Sequence, residues 1–158
     1  MKATQRTIII TMIAAIVPAA IAQNHPAPAS DSGPNSDKAR LIGAWRLASI
    51  TGPDGKSVLT APSGMLIYTR DGHMSVQLMY PVKTISNEYV EQGYEASFGS
   101  YDVDEFRHLV THHVQGSVTR DRLVGKDLPR RFEFTPDGHL LIRSARPEEH
   151  WSVTWEKY

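Results

Sequence analysis

Residues 64–80 read GMLIYTRDGHMSVQLMY, and the way this stretch turns back on itself decides the fold. Two apolar runs, 64–69 and 73–80, flank Arg70-Asp71-Gly72. Asp-Gly between apolar runs supplies the backbone freedom that a tight connection between antiparallel strands needs, so the stretch is predicted as a β-hairpin. Pro81 cannot donate to a ladder and stops the return strand.

The same chemistry recurs on both sides. Residues 41–51 (LIGAWRLASIT) run into Gly52-Pro53-Asp54-Gly55. Residues 98–103 and 107–118 flank Asp104-Glu105, and residues 130–135 (RRFEFT) and 139–144 (HLLIRS) flank Pro136-Asp137-Gly138. Residues 151–157 (WSVTWEK) close the chain, with Trp151, Val153 and Trp155 on one face. Residues 86–97 break the pattern, and Glu88, Glu91 and Glu95 with Tyr89 and Tyr94 predict one short surface helix. About eight evenly spaced strands with little helix predict an all-β, antiparallel up-and-down barrel with room for one small ligand. An open sandwich is the competing arrangement, and only closure supplies an internal pocket by default.

Ahead of the strands lies a different kind of sequence. Lys2 and Arg6, an apolar run over 7–17 and the small residues Ala20 and Ala22 form the three-part pattern of a secretory signal peptide over residues 1–22. The run falls short of the roughly 20 residues of a membrane span. Residues 23–37 (QNHPAPASDSGPNSD) hold no large apolar side chain and read as a disordered leader, leaving 38–158 as the barrel domain. The expected location is therefore periplasmic or extracellular, with no membrane span once the signal is removed. Cysteine is absent, so stability rests on the core alone. Loss of Lys2 and Arg6 lowers the 17 basic residues to 15 against 17 acidic ones, a balance that favours neither nucleic acid nor an anionic membrane.

Candidate chemistry centres on His112 and His113. Strand neighbours point to opposite faces, so at most one of them enters a cavity. Ordinary barrel logic puts the Val110–His112–Val114 face inward. A metal is not expected, because no third or fourth ligand accompanies either histidine, and no cofactor is implied. A haem needs only one proximal histidine, yet nothing in the sequence calls for it. Serines such as Ser75 and Ser117 lack a Gly-x-Ser-x-Gly elbow. General acid–base work by a histidine, with Tyr101 or Tyr68 as proton donor, suits the architecture better. Arg130 shares the face of Phe132 and Phe134 and reads as core. Arg131 lies with Glu133 on the other face, either as an exposed salt bridge to Glu133 or, if it reaches the cavity, as a fork for a ligand carboxylate. Met65, Met74 and Met79 agree with a pocket for a flexible apolar guest.

Several stretches resemble the bacterial lipocalin-like domain family, a calycin-type barrel. Leu41-Ile42-Gly43-Ala44-Trp45-Arg46-Leu47 resembles the opening strand of lipocalins, and residues 68–79 (YTRDGHMSVQLM) the second hairpin of the family. Residues 98–104 (FGSYDVD), 110–117 (VTHHVQGS) and 154–156 (TWE) are similar to further family stretches. The resemblance implies a lipocalin-type barrel, a tryptophan (Trp45) across the closed end with Arg143 stacked on it, and an internal polar cluster centred on His113. It settles no activity, and Gln115 stands where members often carry an acidic residue. Together these readings predict an exported protein that binds a small, largely apolar ligand through Trp45, Tyr68, Met74, Gln77, Tyr101, His113, Gln115 and Arg131. The alternative is a cofactor-free isomerase, hydratase or cyclase using His113 or His112 with Tyr101. A purely structural envelope protein is the third.

Overall fold

In the computed structural model, which describes residues 33, 36–57, 63–81 and 86–158, the chain reverses at residues 69–73 as the Asp-Gly pair predicts. The Thr69 amide donates to the His73 carbonyl (2.9 Å) and Gly72 adopts φ +86°, a left-handed conformation that glycine takes without strain. A second Thr-x-Asp-Gly-His sequence at residues 135–139 folds the same way, with the Thr135 amide donating to the His139 carbonyl (2.9 Å) and Gly138 at φ +87°.

The described elements are α1 (Asp37–Leu41), β1 (Gly43–Thr51), β2 (Ser63–Tyr68), β3 (His73–Met79), β4 (Tyr94–Asp104), β5 (Leu109–Ser117), α2 (Arg120–Leu123), β6 (Asp127–Phe134), β7 (Leu140–Ser144) and β8 (Ser152–Lys157). Each strand pairs antiparallel with the next, and β8 returns to β1, which closes the barrel. Closure leaves no edge strand, and alternation sends one face of every strand inward. Leu66, Val76, Val110, Phe132, Leu140 and Trp155 are among the buried inward residues.

Two bulges set which residues face in. Between Leu47 and Ser49 the β1–β8 register slips, so Ile50 returns to the interior after Trp45 and Leu47. Between Phe98 and Gly99 the β4–β5 register slips past Gln115. Gly99 is required there, because a Cβ at this position would lie 2.0 Å from the His113 carbonyl oxygen.

One end of the barrel is sealed by α1. Ser36 caps this helix, its Oγ accepting the Ala39 amide (3.1 Å), and Leu41 is fully buried beneath it. The Trp45 indole donates to the Leu41 carbonyl (2.8 Å), and its ring centroid lies 6.3 Å from that of Phe134. Arg143 does not stack on Trp45 as expected. Leu140, Ile142 and Ser144 take the inward positions of β7, so Arg143 faces out and pairs with Glu133 (3.3 Å). The cation over Trp45 is Lys157, with Nζ 5.0 Å from the ring centroid.

Three further expectations are corrected. Residues 86–93 form no helix: the Asn87 carboxamide accepts the Tyr89 and Val90 amides (2.8 and 2.9 Å), and Gln92 and Gly93 take positive φ. Local side-chain bonding of this kind competes with helix, and Tyr94 already belongs to β4. The two short helices lie elsewhere, at α1 and α2. The first strand starts at Gly43, because Leu41 ends α1, and Asp37 belongs to that helix, not to the leader. The signal peptide expected at residues 1–22 lies outside the described residues, as does the leader except for Gly33, Ser36 and Asp37. No helix among the described residues is long and apolar enough to cross a membrane.

Candidate functional site

Away from α1 the inward side chains stop meeting across the axis and leave a cavity of about 250 Å³. Its walls are mostly apolar: Ile50, Leu66, Val76, Leu78, Ile142 and Val153 contribute from five strands. At its far end it reaches the connections after β1 (Gly52, Pro53), before β4 (Asn87, Tyr89) and before β8 (Trp151). Such a void in an apolar setting stays available to an apolar guest, since close packing would otherwise fill it.

A few polar groups interrupt this lining. Glu95, at the inward position of β4 opposite Leu78, accepts a hydrogen bond from the Tyr80 hydroxyl (3.2 Å). Burial pushes its carboxyl up to about 7, against the opposing pull of Tyr80 and the Arg130 charge. His112 Nε2 lies 2.6 Å from the Tyr68 hydroxyl. Burial, then the Arg130 and His113 charges, drive the His112 ring down to about 3, so it is neutral at physiological pH. Tyr68 is pushed upward by burial, stays protonated, and donates to Nε2, which assigns the imidazole proton to Nδ1. Trp155 also lines the cavity, and its indole N–H is buried with no acceptor among the described residues.

Arg130 projects from the inward face of β6 with 5% of its surface exposed. Its guanidinium carbon lies 4.8 Å from the Trp151 ring centroid and 5.2 Å from that of Tyr89. Behind these rings Glu149 accepts from the Tyr89 hydroxyl (2.7 Å), Arg146 (3.0 Å) and the Trp151 indole (3.1 Å). Arg146 also reaches Glu88 (3.2 Å), which ties the segment before β4 to the segment before β8.

Of the expected site residues His112 lines the cavity, and the others fall into two groups that do not. Trp45, Tyr68, Met74 and Tyr101 face inward but pack with one another into a solid core toward the α1 end, where Tyr101 donates to the Thr69 carbonyl (2.8 Å). Gln77, His113, Gln115 and Arg131 lie on the outside of the wall. Val76 and Leu78 take the inward positions around Gln77, and Arg130 and Phe132 those around Arg131. Gln115 occupies the bulge. The polar internal cluster centred on His113 is therefore corrected: burying Val110 and Val114 brings His112 inside and sends His113 out. An acid–base set of His113, Tyr101 and Gln115 does not converge. Sequence reading passed over Glu95, Tyr80, Tyr89, Arg130, Trp151 and Trp155 as a site. The available signal was a charged residue, Arg130, on a face otherwise written as Phe132 and Phe134.

On the outer wall His113 is held by two carboxylates, Nδ1 2.6 Å from Asp127 and Nε2 2.9 Å from Asp102, which links β4, β5 and β6. The Asp127 hydrogen bond foremost, with Asp102, raises its pKa above the ordinary histidine value despite partial burial. The stabilisation is then complete below the unfolded-chain pKa and is lost as pH rises through the higher folded value. His113 is 33% exposed, so solvent screening keeps the effect small. We expect H113Q to lower the unfolding free energy by roughly 0.5–1 kcal/mol at pH 5.5 and by less at pH 9. Urea titrations of both proteins at the two pH values check this, and a larger loss at the alkaline value contradicts it. Among the described residues no group of three histidine or acidic side chains is placed to hold a metal.

A closed eight-stranded antiparallel barrel, capped by a helix and tryptophan at one end and hollow toward the other, defines the lipocalin class of architecture. The chain belongs to the lipocalin-like domain family, whose model matches residues 42–158. Among solved structures it is similar to a lipocalin-like protein from Bacteroides uniformis ATCC 8492, at 14% identity and a TM-score of 0.49 over 75% of this chain and 99% of that one. A search of the curated proteins finds no significant match.

Proposed function

We propose that this protein is an exported carrier that encloses one small, largely apolar molecule in its barrel. The cavity carries the reading: about 250 Å³ of space lined mainly by aliphatic and aromatic side chains inside a closed wall. That volume is near the lower end of small-molecule sites, which run from roughly 300 Å³ upward, so the guest is small. Export follows from the signal-peptide pattern of residues 1–22. Native mass spectrometry of protein purified from its own host tests both parts. The expected species begins at Gln23 and carries a dissociable adduct of small-molecule mass. The adduct is expected to disappear in a V76F/V153F variant, whose phenyl rings occupy the void. A chain still beginning at Met1, or a wild-type barrel that is always empty, contradicts the export and carrier parts respectively.

One observation favours a cofactor-free acid–base enzyme as a second reading. A carboxyl held at about 7 inside an apolar cavity, Glu95, is poised to move a proton at neutral pH. In this version Glu95 takes the part first given to histidine, since neutral His112 is too weak a base at about 3.

A further inference from the structure

The geometry points to a small lipophilic carboxylic acid as the guest, its carboxylate seated on the Arg130 guanidinium. This inference rests on the reading of the cavity as a ligand site and names the chemical class of the ligand.

Arg130 is the carrier of the argument. A guanidinium offers five N–H donors and is always charged. Arg130 Nη1 lies 3.5 Å from the Ser144 hydroxyl and 3.7 Å from Glu149 Oε2, and the Tyr89 hydroxyl is a third polar neighbour. Glu149 Oε1 is filled by Tyr89 (2.7 Å) and Arg146 (3.0 Å), while Oε2, which also takes the Trp151 indole (3.1 Å), meets Arg130 only as a 3.7 Å ion pair, beyond hydrogen-bond distance. Trp151 and Tyr89 lie against the guanidinium with their rings, and the contacts to Ser144 and Glu149 both come from Nη1, so neither of them engages Nε or Nη2. A buried charged donor set with spare capacity is costly unless an acceptor arrives. A carboxylate satisfies it in a two-pronged fork.

Two independent features agree. The first is the Trp155 indole N–H, a second donor in the cavity wall without an acceptor. The second is charge. Arg130, Arg146 and Lys126 stand against Glu88 and Glu149 in the linked network, one cation in excess. Glu95 faces the same cavity from β4, and its burial keeps it protonated below about 7, so in titrations at pH 6 it offers an O–H and not a competing charge. The rest of the wall, Leu66, Val76, Ile142 and Val153, suits a hydrocarbon body. An ammonium ligand meets a like charge at Arg130, and an alcohol leaves one prong unused.

Calorimetric titration of the full chain at pH 6 with octanoate, 1-octanol and octylamine, three probes of one length, tests this. Octanoate is expected to bind roughly tenfold to a hundredfold more tightly than octanol, with octylamine weakest. In R130Q that preference is expected to vanish, with octanol unchanged within about twofold. R130K, which keeps the charge without the fork, retains part of it. R131Q, on the outer wall, leaves octanoate binding as it was. Octanol or octylamine binding as tightly as octanoate to the wild type overturns the acid assignment and leaves the carrier reading standing. A preference that survives in R130Q also overturns it. If R130Q does not fold, the three-probe comparison on the wild type still decides. Failure of all three probes overturns the inference, and the carrier reading then rests on the mass spectrometry above.

Discussion

Trp45→Ala is expected to lower the unfolding free energy by about 3–5 kcal/mol, the range for removing a buried tryptophan. Only 2% of Trp45 is exposed, and its ring fills the α1 end among Leu41, Phe134 and Lys157. The loss has two parts. The emptied volume cannot collapse, because the closed wall around it is fixed by ladders on both sides. The Leu41 carbonyl also loses its indole donor (2.8 Å), so α1 loses its tether to β1. Trp45→Phe keeps most of the volume and removes only the tether, and we expect it to cost roughly 1 kcal/mol, the usual net worth of one hydrogen bond. Since small domains have about 5–15 kcal/mol in total, the alanine variant is close to unfolding. Urea denaturation followed by circular dichroism measures both, with the half-exposed Met79→Ala as a near-neutral control. A Trp45→Ala loss under about 1 kcal/mol removes the case for the tryptophan as the keystone of this end.

The second large effect concerns Glu95. Its carboxyl sits at about 7 in the fold against 4.5 in an open chain, mainly because burial disfavours the charge. The unfolded chain therefore releases this proton earlier, and native stability falls as pH rises from the lower value to the higher, then levels off. A shift of that size corresponds to about 2–4 kcal/mol. Glu95→Gln cannot ionise, so it is expected to be more stable than the parent by about that amount at pH 8.5 and nearly equal to it at pH 4. Comparing the two proteins cancels the opposite-facing His113 contribution, which both share. Equal stability at pH 8.5 contradicts a buried, raised carboxyl. The variant also separates the two functional readings. A carrier retains its ligand in Glu95→Gln, whereas an acid–base enzyme loses proton exchange on the bound molecule while still binding it.

Much of the fold was legible because it is written in local chemistry. Both Thr-x-Asp-Gly-His turns carry their own instructions: glycine supplies the positive φ, and the threonine hydroxyl accepts the histidine amide (3.0 Å in each). All eight expected strands lie within a few residues of their places for this reason, and Trp151, Val153 and Trp155 share a face as their spacing implies. Residues 86–97 misled because glutamate and tyrosine spacing imitates a helix. An asparagine that bonds its own following amides and a Gln92-Gly93 reversal outweigh that propensity.

By itself the sequence determined that the chain alternates and where it turns, which makes the domain all-β. Arg130 was legible as core from the face it shares with Phe132 and Phe134, whereas the choice between His112 and His113 was decided only by tertiary structure. A period of two divides a strand into two faces without ranking them. Closure of β8 onto β1, with bulges at Ala48 and Gln115, is what ranks them, by burying the valine and phenylalanine faces together. That same closure draws Glu95, His112, Arg130 and Trp155, from four different strands, around one void.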